Sequence, residues 1–275
     1  MKAIINGRFI IPDETGCFTV EEGLALFFDE KIRAIRPAAT VSAAEREGLE
    51  ACIDAHGAYV SPGFLNVHIH GCVGADTMDD DTEAIRKMQL FQAKTGVTSF
   101  LPTTMTYDFP TLERAFMHVR EAMAREEGAR VLGCHMEGPF ISPAKKGAQA
   151  EKNIAKADFA KIAPYQDIVK IITVAPEELP DGGQFIADCH AHGIVVSLGH
   201  TAADYATARQ AIEEYGAKHI THLFNAMTGL HQRHPGVVGA ALDTDANCEL
   251  IVDNVHIHPA AQRIVYRLKK DHLIL

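Results

Sequence analysis

The chain has 275 residues, 47% hydrophobic and 23% charged, enough to bury one large core with a smaller piece beside it. Formal charge is −10 and no basic run is longer than Lys145-Lys146, which argues against nucleic acid or an anionic membrane as a partner. No stretch approaches the roughly 18 uninterrupted apolar residues of a membrane helix. Met1-Lys2-Ala3-Ile4-Ile5 lacks the apolar run and cleavage site of a signal peptide, so a cytoplasmic location is expected.

Residues 1–58 read as a small β-sheet (sandwich) domain. Lys2 to Ile11 and Ala25 to Ile35 hold strand-forming Val, Ile and Phe around the turn material Pro12-Asp13-Glu14-Thr15-Gly16. Residues 59–275 change pattern, with short apolar runs alternating with amphipathic helices, the signature of a parallel sheet with crossover helices. The runs are Leu65 to His70, Thr98 to Thr104, Val131 to Glu137, Ile168 to Ala175, Ile194 to His200, His219 to Asn225, Leu250 to His256, and a last one from His272. Eight runs predict an α/β fold of the (β/α)8 TIM-barrel type, incomplete at strand eight.

Three intervening helices are legible. Asp81 to Lys94 places Ala84, Ile85, Met88 and Phe91 on one stripe and stops at Gly96. Pro110 opens the next, which carries Leu112, Phe116 and Val119, and Ala203 to Tyr215 forms a third, ended by Gly216. The irregular segment from Gly138 to about Asn153 follows the third strand, where a long loop suits a lid or binding role.

The six cysteines (Cys17, Cys52, Cys72, Cys134, Cys189, Cys248) form no Cys-x-x-Cys pair, so neither a zinc ribbon nor a disulfide framework is indicated. The fifteen histidines are the compositional oddity. In Val67-His68-Ile69-His70-Gly71, side chains two apart on a strand point the same way, so both imidazoles reach one point at the strand's C-terminal end. Glu137, His200 and His222 stand at the ends of strands three, five and six, and in a (β/α)8 barrel those ends converge on the face where active sites sit. A carboxylate and four imidazoles suit one or two divalent ions, with zinc, iron or manganese favoured over magnesium or calcium.

These motifs, in this order, resemble the N-acetylglucosamine-6-phosphate deacetylases of the amidohydrolase superfamily. The resemblance runs from Pro62-Gly63-Phe64 through Gly74-Ala75-Asp76-Thr77-Met78-Asp79, His135-Met136-Glu137-Gly138-Pro139-Phe140, Lys145-Lys146-Gly147-Ala148 and Val174-Ala175-Pro176-Glu177. It continues through Gly199-His200-Thr201 and His222-Leu223-Phe224-Asn225-Ala226-Met227 to Pro235-Gly236-Val237-Val238-Gly239. It implies that Glu137, His200 and His222 bind the main metal and that His68 and His70 allow a second ion; zinc is the expected metal, with iron or manganese as alternatives. It implies that Asn225, the Ala226 backbone, Arg233 and His256 grip a phosphorylated amino sugar, with Arg233 serving the neighbouring subunit of a homodimer.

The chain departs from the family pattern in three places. Asn66 stands where superfamily members often have Asp, and Gln149 stands where some relatives carry a histidine that polarises the substrate carbonyl. The family's catalytic aspartate would lie beyond Asp271-His272-Leu273-Ile274-Leu275, so no catalytic carboxylate is assigned, and Asp253 is the nearest other candidate. The expected reaction is metal-dependent hydrolysis of the acetamide of N-acetylglucosamine 6-phosphate. The alternatives are an amidohydrolase acting on a cyclic amide and a non-catalytic, truncated metal-binding form.

Overall fold

Asn6, at a left-handed φ of 55°, breaks the first apolar run, so that Lys2 to Ile11 becomes two strands, Lys2–Ile5 and Arg8–Pro12. Ala25 to Ile35 likewise folds back on itself, Leu24–Phe28 pairing antiparallel with Ile32–Pro37. In this computed structural model, which describes residues 1–14 and 16–275, contacts divide the chain into two units, Met1–Phe64 and Leu65–Leu275. The turn expected at Pro12 to Gly16 includes Thr15, which lies outside the described residues.

The first unit holds two small sheets. One orders Ile32–Pro37, Leu24–Phe28, Lys2–Ile5 and Ala51–Asp54, and the other orders Phe18–Glu21, Arg8–Pro12 and Tyr59–Val60. Its core is small: Ala3, Ala25, Phe27 and Val41. Ser42 starts the helix Ala43–Glu47 with a capping box, accepting from the Glu45 amide while the Glu45 carboxylate takes the Ser42 amide.

In the second unit the barrel strands follow one another in chain order. The first, Phe64–Ile69, pairs with the second, Val97–Thr104. Cys134–Glu137, Val169–Val174, Val195–Leu198, His219–Ile220, Asn247–Glu249 and Leu273–Ile274 then add in parallel, each beside the one before. The result is the expected TIM-type fold, a curled sheet of eight barrel strands with the short Arg130–Val131 also paired to the second; among the described residues, Leu273–Ile274 pairs with the seventh strand alone.

The three expected helices run Thr82–Lys94, Phe109–Met123 and Tyr205–Glu213, with Asp81, Asp108 and Asp204 accepting backbone N–H groups at their starts. Gln184–Ala191, Gly236–Leu242 and Pro259–Lys269 supply further crossovers. Phe100, Phe116, Met136, Ile172, Val196, Ile220 and Cys248 are all buried in the core that joins sheet and helices.

Two strand expectations need correction. The sixth strand stops at Ile220, because the chain turns through left-handed φ values at His222 (32°), Phe224 (79°) and Ala226 (47°). The seventh is Asn247–Glu249 and not Leu250 to His256. Its backbone leaves the sheet once the Leu250 amide has reached the Ile274 carbonyl at 2.8 Å, and Asp253 takes the amides of Val255 and His256 in a turn instead. Asp253 therefore lies on no strand.

Candidate metal centre

Each of the five sequence-predicted donors stands at the C-terminal end of a barrel strand or just past it. His68 is on the first strand and His70 one residue beyond it; Glu137 ends the third; His200 and His222 each lie two residues past the fifth and sixth. His200 and His222 sit at left-handed φ values of 48° and 32°, a conformation that costs on the order of 1–3 kcal/mol for a residue with a Cβ.

The surroundings hold those turns in place. After His200, the Thr201 hydroxyl donates to Glu177 Oε2 at 2.5 Å, and the Thr201 amide reaches the Ala226 carbonyl at 3.1 Å. The His200 carbonyl accepts from the Ser142 amide at 2.8 Å. The loop after the third strand thus grips the loop after the fifth, which in turn is tied to the loop after the sixth.

Glu137 is the hub. Its Oε1 lies 3.1 Å from His222 Nε2, 3.2 Å from His200 Nε2 and 3.4 Å from His68 Nε2, while Oε2 lies 3.3 Å from His70 Nε2. His200 Nε2 and His222 Nε2 are 3.1 Å apart, and His68 Nε2 and His70 Nε2 are 3.4 Å apart. The His70 side chain keeps 32% exposure against 2% for Glu137, so the cluster opens towards solvent on the His70 side.

The outer ring nitrogens decide what the inner ones can do. Nδ1 of His200 faces the Lys145 carbonyl at 3.1 Å, Nδ1 of His70 faces the Thr103 carbonyl at 3.2 Å, and Nδ1 of His68 faces Glu249 Oε2 at 2.7 Å. Each of those oxygens only accepts, so each Nδ1 carries a proton and Nε2 is the ring atom turned inward, the one a metal ion would take in place of any second proton. Ring nitrogens and carboxylate oxygens packed this closely share either protons or a metal cation. Two donor sets, His68 with His70 and Glu137, and Glu137 with His200 and His222, each have their ligand atoms within 4.8 Å of one another. The residues fit a divalent transition metal of nitrogen and oxygen preference.

The electrostatics agree. Burial would raise the Glu137 carboxyl, but the facing imidazoles of His200, His222, His68 and His70 outweigh it and hold the group well below the usual carboxylate range. Burial would likewise depress His68, yet its hydrogen bonds to Glu137 and Glu249 lift it to about 10. Both shifts record a site that demands positive charge.

Three buried residues escaped the sequence reading. Glu249, 6% exposed, takes His68 Nδ1 on one oxygen and His219 Nε2 at 2.9 Å on the other. His135 is fully buried beside the His68 ring, with centroids 4.6 Å apart; burial first, then the charge of His68, pushes it down to about 3 and keeps it neutral. Its Nδ1 donates to the Val67 carbonyl, and its Nε2 accepts from Thr173, behind which Thr221 and Ser197 continue a chain of buried hydroxyls. A polar residue on the inward face of a strand was the available signal.

The remaining candidates spread over several loops. Gln149 is buried, with its amide nitrogen 2.5 Å from Glu137 Oε2 and its oxygen accepting the Thr106 amide at 2.7 Å. Asn225 donates to the carbonyls of His222 and Leu223, and Ala226 holds its left-handed turn. Arg233 is exposed in the loop after the sixth strand, its amide on His231 Nδ1. His256 is exposed, its Nδ1 2.7 Å from Asp253 Oδ2; that bond, with two backbone amides, lowers Asp253 to about 2. A carboxyl held there stays ionised and is a weak base near neutral pH.

Residues 59–274 match the amidohydrolase family, and they include all five clustered donors. The chain belongs to the amidohydrolase family. Among curated relatives it is 41% identical over 217 residues to the N-acetylglucosamine-6-phosphate deacetylase of Bacillus subtilis (strain 168), an alignment covering 76% of this chain and 54% of that protein. It is 36% identical over 282 residues to the N-acetylgalactosamine-6-phosphate deacetylase of Escherichia coli O157:H7, covering 100% of this chain and 71% of that one. The crystal structure of N-acetylglucosamine-6-phosphate deacetylase from Pasteurella multocida superposes with a TM-score of 0.88 at 35% identity, over 99% of this chain and 70% of that one. This amidohydrolase chain thus spans 54% and 59% of the Bacillus subtilis and Lysinibacillus sphaericus relatives. No helix among the described residues is long and apolar enough to cross a membrane.

Proposed function

We propose that the cluster binds metal and serves hydrolysis of the acetamide of a phosphorylated amino sugar, N-acetylglucosamine 6-phosphate, to glucosamine 6-phosphate and acetate. The observation that carries this reading is the convergence of four imidazole Nε2 atoms on Glu137, in a chain whose relatives carry the names of such deacetylases. Glu137, His200 and His222 are assigned to a first ion, and His68, His70 and Glu137 to a second. Zinc suits the donors best, with iron and manganese next.

When bound, the metal supplies Lewis acidity, activating a water and polarising the acetamide carbonyl. The chain's own residues do the positioning. Lys145, Thr103 and Glu249 fix the ring tautomers, and Gln149 holds one oxygen of Glu137. Arg233 and His256 are assigned to the sugar phosphate, since a dianion needs charged or multidentate donors, and Asn225 and the Ala226 backbone to the sugar. We assign Arg233 to the neighbouring subunit's site in a cytoplasmic homodimer, which sedimentation of the protein with and without Arg233→Glu would check.

A second substrate reading has its own support. The Escherichia coli relative, aligned over the whole of this chain, is named for N-acetylgalactosamine 6-phosphate, the 4-epimer. Acetate release from the two phosphorylated sugars and from unphosphorylated N-acetylglucosamine, with zinc-loaded protein, separates the cases. The expected result is strong preference for a 6-phosphorylated sugar. Equal turnover with and without phosphate would move the function to another amide, a cyclic one included; tight zinc binding without acetate release would favour the non-catalytic reading.

A further inference from the structure

We infer that Glu249 is the positioning residue that makes His68 a metal ligand and so creates the second ion site. The inference rests on the metal-binding reading above and deepens it. Glu249 ends the seventh barrel strand, and its carboxylate meets three donors. Oε2 takes His68 Nδ1 at 2.7 Å and the backbone amide of His222 at 3.2 Å; Oε1 takes His219 Nε2 at 2.9 Å. The group is held from both sides and cannot drift from the ring it serves.

The two histidines of the second donor set are not equivalent. His70 Nδ1 faces a neutral carbonyl, that of Thr103, at 3.2 Å, whereas His68 Nδ1 faces a carboxylate at 2.7 Å. A carboxylate on the far nitrogen fixes the tautomer and raises the basicity of the near one, so His68 is the stronger donor of the pair. Without that acceptor the proton can move to Nε2, 3.4 Å from Glu137 Oε1, and the atom that should bind the ion would carry hydrogen instead.

His222, in the first donor set, gives the Glu249 carboxylate only its backbone amide, and the Nδ1 of His200 faces the Lys145 carbonyl instead. Loss of the Glu249 charge should therefore fall on one ion and spare the other.

The test is titration of zinc into the protein against a chromophoric chelator. The unmutated protein should show two binding events. In Glu249→Gln the weaker event should lose about 10–100-fold in affinity, the usual cost of removing such a supporting carboxylate, while the stronger is retained. Glu249→Asp, which keeps the charge but withdraws it by one methylene, should weaken the same event and guards against a Gln variant that fails to fold. His68→Ala combined with Glu249→Gln should lose no more than His68→Ala alone, since the effect runs through His68. Two unchanged events in Glu249→Gln, equal weakening of both, or additive loss in the double variant would overturn the role of Glu249 alone. A single event in the unmutated protein would remove the second site, and no zinc binding would sink the metal reading itself.

Discussion

The amide nitrogen of Gln149 stands 2.5 Å from Oε2 of Glu137, so a loop residue and the buried hub of the cluster share one hydrogen bond. The Gln149 oxygen accepts the Thr106 amide at 2.7 Å, which fixes the amide's orientation and leaves its nitrogen only the carboxylate and the Met105 sulfur to face. Glu137 is thereby turned with one oxygen towards His200, His222 and His68 and the other towards His70.

Gln149→Glu should reverse that support. A second carboxylate at hydrogen-bond distance from Glu137 would repel it, with an acceptor in place of the present donor. Zinc affinity should fall by about 10-fold or more, comparable to losing a supporting contact elsewhere in a metal site. Gln149→His, which can still donate from a ring nitrogen, should retain more affinity than Gln149→Ala. Competition titration with a chelator measures all three, and undiminished zinc affinity in Gln149→Glu would refute the supporting role.

The hub itself should be separable from the rim. Glu137 contributes to both donor sets, whereas His70 contributes to one. Elemental analysis should find Glu137→Ala depleted of metal altogether and His70→Ala depleted chiefly of the second ion. Glu137→Ala retaining a full complement would show that the ions, if any, sit elsewhere.

The barrel was legible because its signal is repeated. Short apolar runs with capped amphipathic helices between them recur along the second unit, and Asp81, Asp108 and Asp204 mark helix starts by chemistry that needs no tertiary context. The five clustered donors were legible because they fall at the ends of those runs. Glu249 was not, because Leu250-Ile251-Val252 draws the eye one segment too late: the true strand, Asn247–Glu249, exposes Asn247 but buries Glu249, and a buried carboxylate is a signal that apolar periodicity does not detect. His135 and His219 were hidden for a related reason, since each is a polar group satisfied inside the barrel by partners far along the chain.

Gly133 offers a test of the fold independent of the metal. It separates Arg130–Val131 from Cys134–Glu137 at a φ of 147°, and a Cβ there would lie 2.4 Å from the Ile168 carbonyl oxygen and 2.5 Å from Lys170 Cγ. The lysine side chain can move, but the Ile168 carbonyl accepts the Cys134 amide at 2.8 Å and is part of the sheet. Gly133→Ala should therefore destabilise the protein by about 2–4 kcal/mol, combining strain at a glycine-favouring φ with overpacking. A chemical denaturation midpoint unchanged from the unmutated protein would contradict the close approach.

The cysteines should divide by reactivity. All six are free thiols; Cys17 and Cys52 are exposed, and Cys134, Cys189 and Cys248 are buried. Burial pushes Cys134 and Cys189 up to about 12 and Cys248 up to about 11, so the nucleophilic thiolate is scarce at neutral pH even where reagent could reach. Cys72, at intermediate exposure, is also raised by its surroundings and should react slowly. Brief alkylation of the native protein at pH 7.5, followed by peptide mapping, should label Cys17 and Cys52 first, Cys72 later, and the other three only after unfolding. Because Cys248 immediately precedes Glu249 on the seventh strand, its labelling also reports whether a Glu249 variant keeps that strand packed. Rapid labelling of Cys248 in the unmutated native protein would mean that the seventh strand does not hold the buried position on which the Glu249 argument depends.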